Sequence, residues 1–273
     1  MIITRTPFRV SFAGGGSDMR AFYSRNGYGA VVSTAIQRYM YIVIHPYFQD
    51  KIRIKYSQTE DVSNIEEIRH NRVRECLRKV QINHGIEIAS FADVAAGTGL
   101  GSSSAFTVGL LNALYAFNGQ LIPKNRLAAE ACEIEIDILK EPIGKQDQYA
   151  AAYGNINHIR FNQDETVDVK PIMLNISTRT KLENRLKLYY FGGKRDARDI
   201  LRIQSASISK KNTFRMLKDL VELTSELETQ LNQQSISSLG MILHKGWLTK
   251  RQLAGGISNG RIDRLYNTTL LSG

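Results

Sequence analysis

The sequence predicts an α+β fold in two domains, residues 1–180 and 181–273. Three observations predict it. Segments that alternate or carry β-branched residues recur through the chain before residue 94, which is the texture of strands. A glycine-serine stretch at 96–105 then turns the chain from a strand into an apolar helix. After residue 185 the texture changes, and one short strand is followed only by helices with regular apolar stripes.

Taken in order, residues 2–6 and 9–12 read as two short strands separated by a kink at Pro7. Gly14-Gly15-Gly16-Ser17-Asp18 breaks the pattern, and Asp18 suits the N-cap of a short helix at 19–23. Residues 29–36 and 38–45 read as two strands joined by a turn, and 51–56 as a half-exposed strand. A helix over 65–84 is closed by Gly85, and a strand at 86–94 leads to the glycine-serine stretch. Beyond the apolar helix, a second helix runs from Pro123 to about Leu139, with Leu127, Ala131, Ile134 and Ile138 on its inward stripe. Glu130 and Glu135 fall at the edges of that stripe, where acids are usually solvated. Residues 155–161 and 167–172 read as a hairpin, and 186–191 as a strand. Two helices follow, marked by Met216, Leu220, Leu223, Leu227 and Leu231 and then by Ile236, Leu239, Leu243 and Trp247.

Composition narrows the function classes. Hydrophobic content of 42% and charged content of 23% over 273 residues are ordinary for a globular chain with a sizeable core. The net charge of +10 suits anionic partners. The basic residues are spread from Arg5 to Arg264 with acids between them, and no nucleic-acid-binding module accompanies them. The densest group, Arg69, Arg72, Arg74, Arg78 and Lys79, reads as a solvated helix face. Cys76 and Cys132 lack paired spacing, and the five histidines form no metal-binding pair. No signal-peptide core and no membrane-spanning run is present, so a cytoplasmic protein with no nucleic-acid or membrane partner is expected. Oligomeric state is not legible.

The stretch with most chemistry in it is Gly97-Thr98-Gly99-Leu100-Gly101-Ser102-Ser103-Ser104. Its glycines leave amides bare, and its serines sit at a helix N-terminus, where orphan N–H groups and the helix dipole favour an anion. It is either a phosphate cradle or a tight strand-to-helix turn of small residues. The pattern is neither a P-loop nor a dinucleotide fingerprint. Asp147, at the entry to another short helix, is either a cap or a base.

Three stretches together resemble the GHMP kinase superfamily, named for galactokinase, homoserine kinase, mevalonate kinase and phosphomevalonate kinase. Residues 6–18 resemble its first motif, in the glycine-rich form of the heptose 7-phosphate kinases, and residues 97–105 resemble its phosphate-binding second motif. Residues 141–151 and 243–247 support the same branch. The third motif, a glycine-rich strand-loop, is expected after Gly273, so the C-terminal domain reads as truncated. The resemblance implies a ribosomal protein S5 domain 2-like N-terminal domain and a ferredoxin-like C-terminal domain.

It also implies an ATP- and magnesium (Mg2+)-dependent kinase with a small phosphosugar substrate. The reaction expected is phosphorylation of the anomeric hydroxyl of D-glycero-D-manno-heptose 7-phosphate to the 1,7-bisphosphate, a step toward nucleotide-activated heptose for surface polysaccharide. A kinase for fucose or galactose, or a non-catalytic sugar- or nucleotide-binding relative, are the alternatives. By matching positions, Gly97 to Ser104 hold the nucleotide, Ser103 and Glu135 hold the metal, and Asp147 is the base. Asp18 binds sugar hydroxyls with Gly15, Gly16 and Ser17 around it, the two glycines leaving room for a large sugar. Arg195, with Lys194 and Arg198 beside it, or else Arg9, binds the sugar phosphate, because a guanidinium meets phosphate bidentately.

Overall fold

The computed structural model describes residues 1–190 and 197–271, apart from the side chains of residues 197 and 198. Its frame is a single sheet built around one long strand. Strand β1 (Ile2–Ala13) and strand β2 (Tyr28–Pro46) pair antiparallel along almost their whole length. The two strands expected on each side of Pro7 are one, because Pro7 sits at a register shift against Tyr39, where its missing N–H breaks no ladder. The turn expected near residue 37 is likewise absent. β2 runs straight through, paired on its other edge with two different strands.

Those strands are β5 (Ile86–Ala92), against residues 40–46, and β6 (Ile156–Asn162), against residues 28–34. Strand β3 (Ile52–Lys55) adds parallel to β5, strand β4 (Thr59–Val62) antiparallel to β3, and strand β7 (Val167–Pro171) closes the expected hairpin with β6. Helix α1 (Arg20–Asn26) links β1 to β2. The helix expected over 65–84 is a single 3-10 turn, 65–67, and then α2 (Asn71–Val80) with His70 as N-cap, ending at a left-handed Gln81 rather than at Gly85.

Four apolar clusters fix the layers. On one face, Phe8, Ile42, Ile44, Ile54 and Ile88 of the sheet meet α2 and helix α3 (Ser102–Phe117) through Val73, Leu77, Leu110 and Leu114. α3 lies close enough for Thr4 to donate to the Gly109 carbonyl at 2.9 Å. A β-carbon at Gly109 would stand 2.6 Å from Thr6 Oγ1, so glycine is what lets the helix settle there. Next to it, Val31, Ile159 and Phe161 meet helix α4 (Lys124–Cys132) and helix α5 (Gln146–Tyr153).

Beyond residue 175 the regular elements among the described residues are helices: α6 (Ile176–Arg185), α7 (Ala197–Ser207), α8 (Lys211–Asn232), α9 (Leu239–Lys250) and α10 (Gly260–Leu271). Residues 186–190 form no strand, and Phe191 lies outside the described residues. α8 and α9 pack Leu227, Leu231 and Ile242 against Phe12, Val32 and Ile156, while Leu217, Leu220 and Val221 meet Met19, Phe22 and Ala30. Ala30 and Val32 therefore face the C-terminal helices and Val31 faces α4 and α5, so β2 is buried on both sides. Among the described residues no helix is long and apolar enough to cross a membrane.

Candidate active site

A cleft of about 660 Å³ opens where the β5–α3 loop, the loop after β1, the start of α5, and helices α7 and α9 converge. The β5–α3 loop forms one wall. Gly97, Gly99 and Gly101 adopt φ of +82°, +76° and +74°, backbone that only glycine takes without strain. Gly97, Gly99, Gly101, Ser102, Ser103 and Ser104 line the cleft. Leu100 instead packs into the core beneath the loop, its carbonyl accepting from Arg9 N at 3.1 Å. Thr98 is not in the lining, and its buried hydroxyl has no partner among the described residues. The first amides of α3 thus face open space, with the dipole behind them.

Asp147 stands beside the loop, its carboxylate 3.4 Å from where a β-carbon at Gly101 would lie. Arg9 Nε and Nη2 both approach its Oδ1, at 2.8 and 2.7 Å, which leaves Oδ2 open as an acceptor. Arg9 Nη1 donates to the Gly99 carbonyl at 2.6 Å, so one guanidinium ties the carboxylate to the loop. Arg9 lines the cleft while holding Asp147 and Gly99, with N–H donors to spare, so its alternative assignment to a sugar phosphate stays a proposal. Lys194 and Arg195 lie outside the described residues, as does the Arg198 side chain.

Asp18 is 2% exposed and faces the same cleft. Its Oδ1 accepts from Gly16 N at 2.9 Å and its Oδ2 from Gln146 N at 3.1 Å. Burial pushes its carboxyl up and the nearby Asp147 charge adds to this, against backbone donors that pull it down. Asp18 does not cap α1, which begins after Met19 with no side-chain cap. Ser17 is corrected too. Its hydroxyl donates to Ala30 O at 2.8 Å and accepts from Ala30 N at 3.0 Å, so it pins the loop to β2 and has nothing left for a ligand.

Glu135 departs furthest from its expected place. The helix expected to run on to Leu139 changes after Cys132 into a π-helical turn, 133–138, whose extra residue per turn rotates the chain. Ile138 moves out to 46% exposure and Glu135 moves in to none. Its carboxylate then takes four donors: Arg72 Nε at 2.9 Å, Ser104 Oγ at 2.8 Å, Thr107 Oγ1 at 2.8 Å and Gln148 Nε2 at 2.5 Å. Arg72 also reaches Glu141 at 3.0 Å, so the basic face of α2 is docked on acids rather than solvated. Glu130 is buried as well, held by Tyr115 and Arg126.

The Ser103–Glu135 metal pair does not fit these residues. Glu135 has no free lone pair, its hydroxyl partner is Ser104, and Ser103 is exposed on the cleft side. Among the described residues, no cluster of three or more His, Cys, Asp or Glu is placed to hold a metal ion.

Two cleft residues carry no sequence signal of their own. Gln204 of α7 and Lys250 of α9 line the cleft beside Gly16 and Asp18. The space over the glycines is theirs: a β-carbon at Gly15 would lie 2.9 Å from Lys250 Nζ, and one at Gly16 would lie 2.3 Å from Gln204 Nε2. α9 reads from sequence as an apolar stripe ending at Trp247 and α7 carries no stripe read there, so only the fold shows which polar residue reaches the site.

The cleft thus brings together a glycine loop on a helix N-terminus and an arginine-held aspartate. Residues 70–155, which span the loop, the π turn and Asp147, match the sequence model of the GHMP kinases N terminal domain. Among individual proteins, the chain is similar to D-glycero-alpha-D-manno-heptose 7-phosphate kinase of Campylobacter jejuni, 26% identical over 100% of this chain and 84% of that protein. It is 24% identical to an L-fucokinase/L-fucose-1-P guanylyltransferase of Bacteroides fragilis, over 67% of this chain and 20% of that one. Its fold matches a D-glycero-D-manno-heptose 1-phosphate kinase from Bacteroides thetaiotaomicron with a TM-score of 0.78 and 23% identity, covering 92% of this chain and 80% of the other.

Proposed function

We propose that the chain is an ATP-dependent sugar kinase that phosphorylates the anomeric hydroxyl of D-glycero-D-manno-heptose 7-phosphate. The observation that carries this reading is the placement of Asp147 in one cleft with the bare amides of the β5–α3 loop, its carboxylate beside Gly101. Phosphoryl transfer asks for positioning and charge neutralisation more than for covalent help. The amides from Gly97 to Ser104 hold the triphosphate. Asp147 Oδ2 accepts the proton of the sugar hydroxyl as its oxygen attacks the terminal phosphorus, and ADP leaves. Arg9 holds that carboxylate in place, and Asp18 accepts a hydrogen bond from a neighbouring hydroxyl. Bound with the nucleotide, magnesium would neutralise phosphate charge, and the Ser103 hydroxyl is the protein group that would face it. In this reading residues 1–180 hold the nucleotide and the reacting groups, and residues 181–273 wall the acceptor.

The likeness to a bifunctional fucokinase favours fucose as the second reading. An ADP-release screen across D-glycero-D-manno-heptose 7-phosphate, L-fucose and D-galactose separates the two, with phosphorus NMR locating the new phosphate. Turnover on the heptose with a new anomeric phosphate is expected. Turnover on fucose alone moves the substrate, and no turnover on any sugar removes the kinase.

A further inference from the structure

The pair Gly15-Gly16 does not leave an empty pocket. Its missing side chains admit two polar tips that arrive from the C-terminal helices. Gln204 is 3% exposed, and its amide nitrogen has no hydrogen-bond partner among the described residues. Lys250 makes no ion pair among the described residues either, although its half-buried ammonium stands beside Asp18 and Asp147 on one side and Arg9 on the other. Gln146, which donates its backbone amide to Asp18, leaves its own Oε1 unpartnered close by. Buried polar atoms without partners are costly, and folded chains rarely leave them so. Here they ring one cavity, and what they share is a demand for hydroxyl groups.

We propose that Lys250 and Gln204 bind the acceptor sugar, donating to the oxygens of hydroxyl groups whose O–H bonds donate to Asp18 and Asp147. A hydroxyl is donor and acceptor at once, so a carboxylate and an ammonium set side by side address both of its roles. A cation is also what this spot needs, because Asp18, Asp147 and an incoming phosphoryl group gather negative charge there. Burial and the neighbouring Arg9 push the Lys250 ammonium down, against the two aspartates that hold it charged. Gly15 and Gly16 then serve as the floor on which Lys250 and Gln204 rest. This inference takes the sugar-kinase reading as its frame and names the part of the chain that selects the sugar.

The test is binding rather than turnover. Calorimetric titration without nucleotide, using D-glycero-D-manno-heptose 7-phosphate, L-fucose and D-galactose, identifies the sugar that the wild type binds. Lys250→Met and Gln204→Leu should each weaken binding of that sugar at least tenfold, with ADP affinity unchanged within twofold. Lys250→Arg should recover most of the loss. Gly15→Ala keeps every polar group but pushes its methyl toward Nζ, so it should weaken the same sugar while circular dichroism shows a folded chain. Sugar affinity within twofold of wild type in both Lys250→Met and Gln204→Leu overturns the proposal, as does a wild type that binds none of the three sugars. A wild type that binds a sugar but transfers no phosphate removes the kinase reading and leaves this one in place.

Discussion

Asp147 and Glu135 are both carboxylates of the same matched segment, and their surroundings give them opposite tasks. Asp147 keeps an oxygen open to the cleft, so Asp147→Asn should lower turnover by about 10²–10⁴-fold, the usual contribution of a positioned base. The acceptor KM should change little. Steady-state ADP release measures both, and a variant within tenfold of wild-type turnover takes Asp147 out of the proton transfer. Glu135 has every lone pair engaged, so Glu135→Ala should destabilise the ligand-free chain by about 1–3 kcal/mol, because the buried Ser104, Thr107 and Gln148 donors lose their acceptor while Arg72 keeps Glu141. Urea denaturation without ligand decides it, since a residue kept only to bind a metal would leave that midpoint unmoved. The glycine loop and Asp147 were legible because their residue types and spacing are unusual. Glu135 was legible as a position but not as a role. Ser17, fully buried against Ala30, and the grip of Arg9 on Asp147 were not legible, because nothing in sequence says that Ala30 or Asp147 lies within reach of them.

At the scale of elements, the strand and helix content followed from periodicity, and the misses came from partners outside the local window. Pro7 and residue 37 looked like breaks because a proline and a polar Gln-Arg pair usually are. β1 and β2 bridge both, since each supplies the other with a ladder. The π turn at 133–138 was invisible, because the apolar spacing up to Ile134 fits an ordinary helix and only burial of Glu135 requires the extra residue. The tight seat of α3 on β1 gives a further prediction. Gly109→Ala forces its methyl against Thr6 and Ile42, and overpacking of this kind costs about 1–3 kcal/mol. The same push shifts the N-terminus of α3, so the ATP KM should rise as the urea midpoint falls. A stable variant with an unchanged ATP KM would mean that the helix seat does not set the loop.

Across the whole molecule, one carboxylate joins three separate parts. Glu165, between β6 and β7, accepts from Arg20 and Tyr23 of α1 and from Lys145 at the entry to α5. Burial alone would push it up, but Lys145, Tyr23 and Arg20 outweigh that and hold it at about 2, below its ordinary 4.5. A carboxyl whose pKa falls on folding contributes stability fully above 4.5 and loses it as the pH drops toward 2. The gap in denaturation midpoint between wild type and Glu165→Gln should therefore be widest near neutrality and close through that window. A gap independent of pH would show that the contact is packing and not charge.

β2 carries β5 on one half of an edge and β6 on the other half of the same edge. β5 delivers the phosphate loop, and β6 follows directly from the helix that bears Asp147. On the proposed reading, a single continuous ladder works as a ruler between the group that is given up and the residue that primes its recipient. The far side of the cleft is the pair α7 and α9, so on the same reading a change of sugar calls for new residues on those two helices and leaves the ruler uncut.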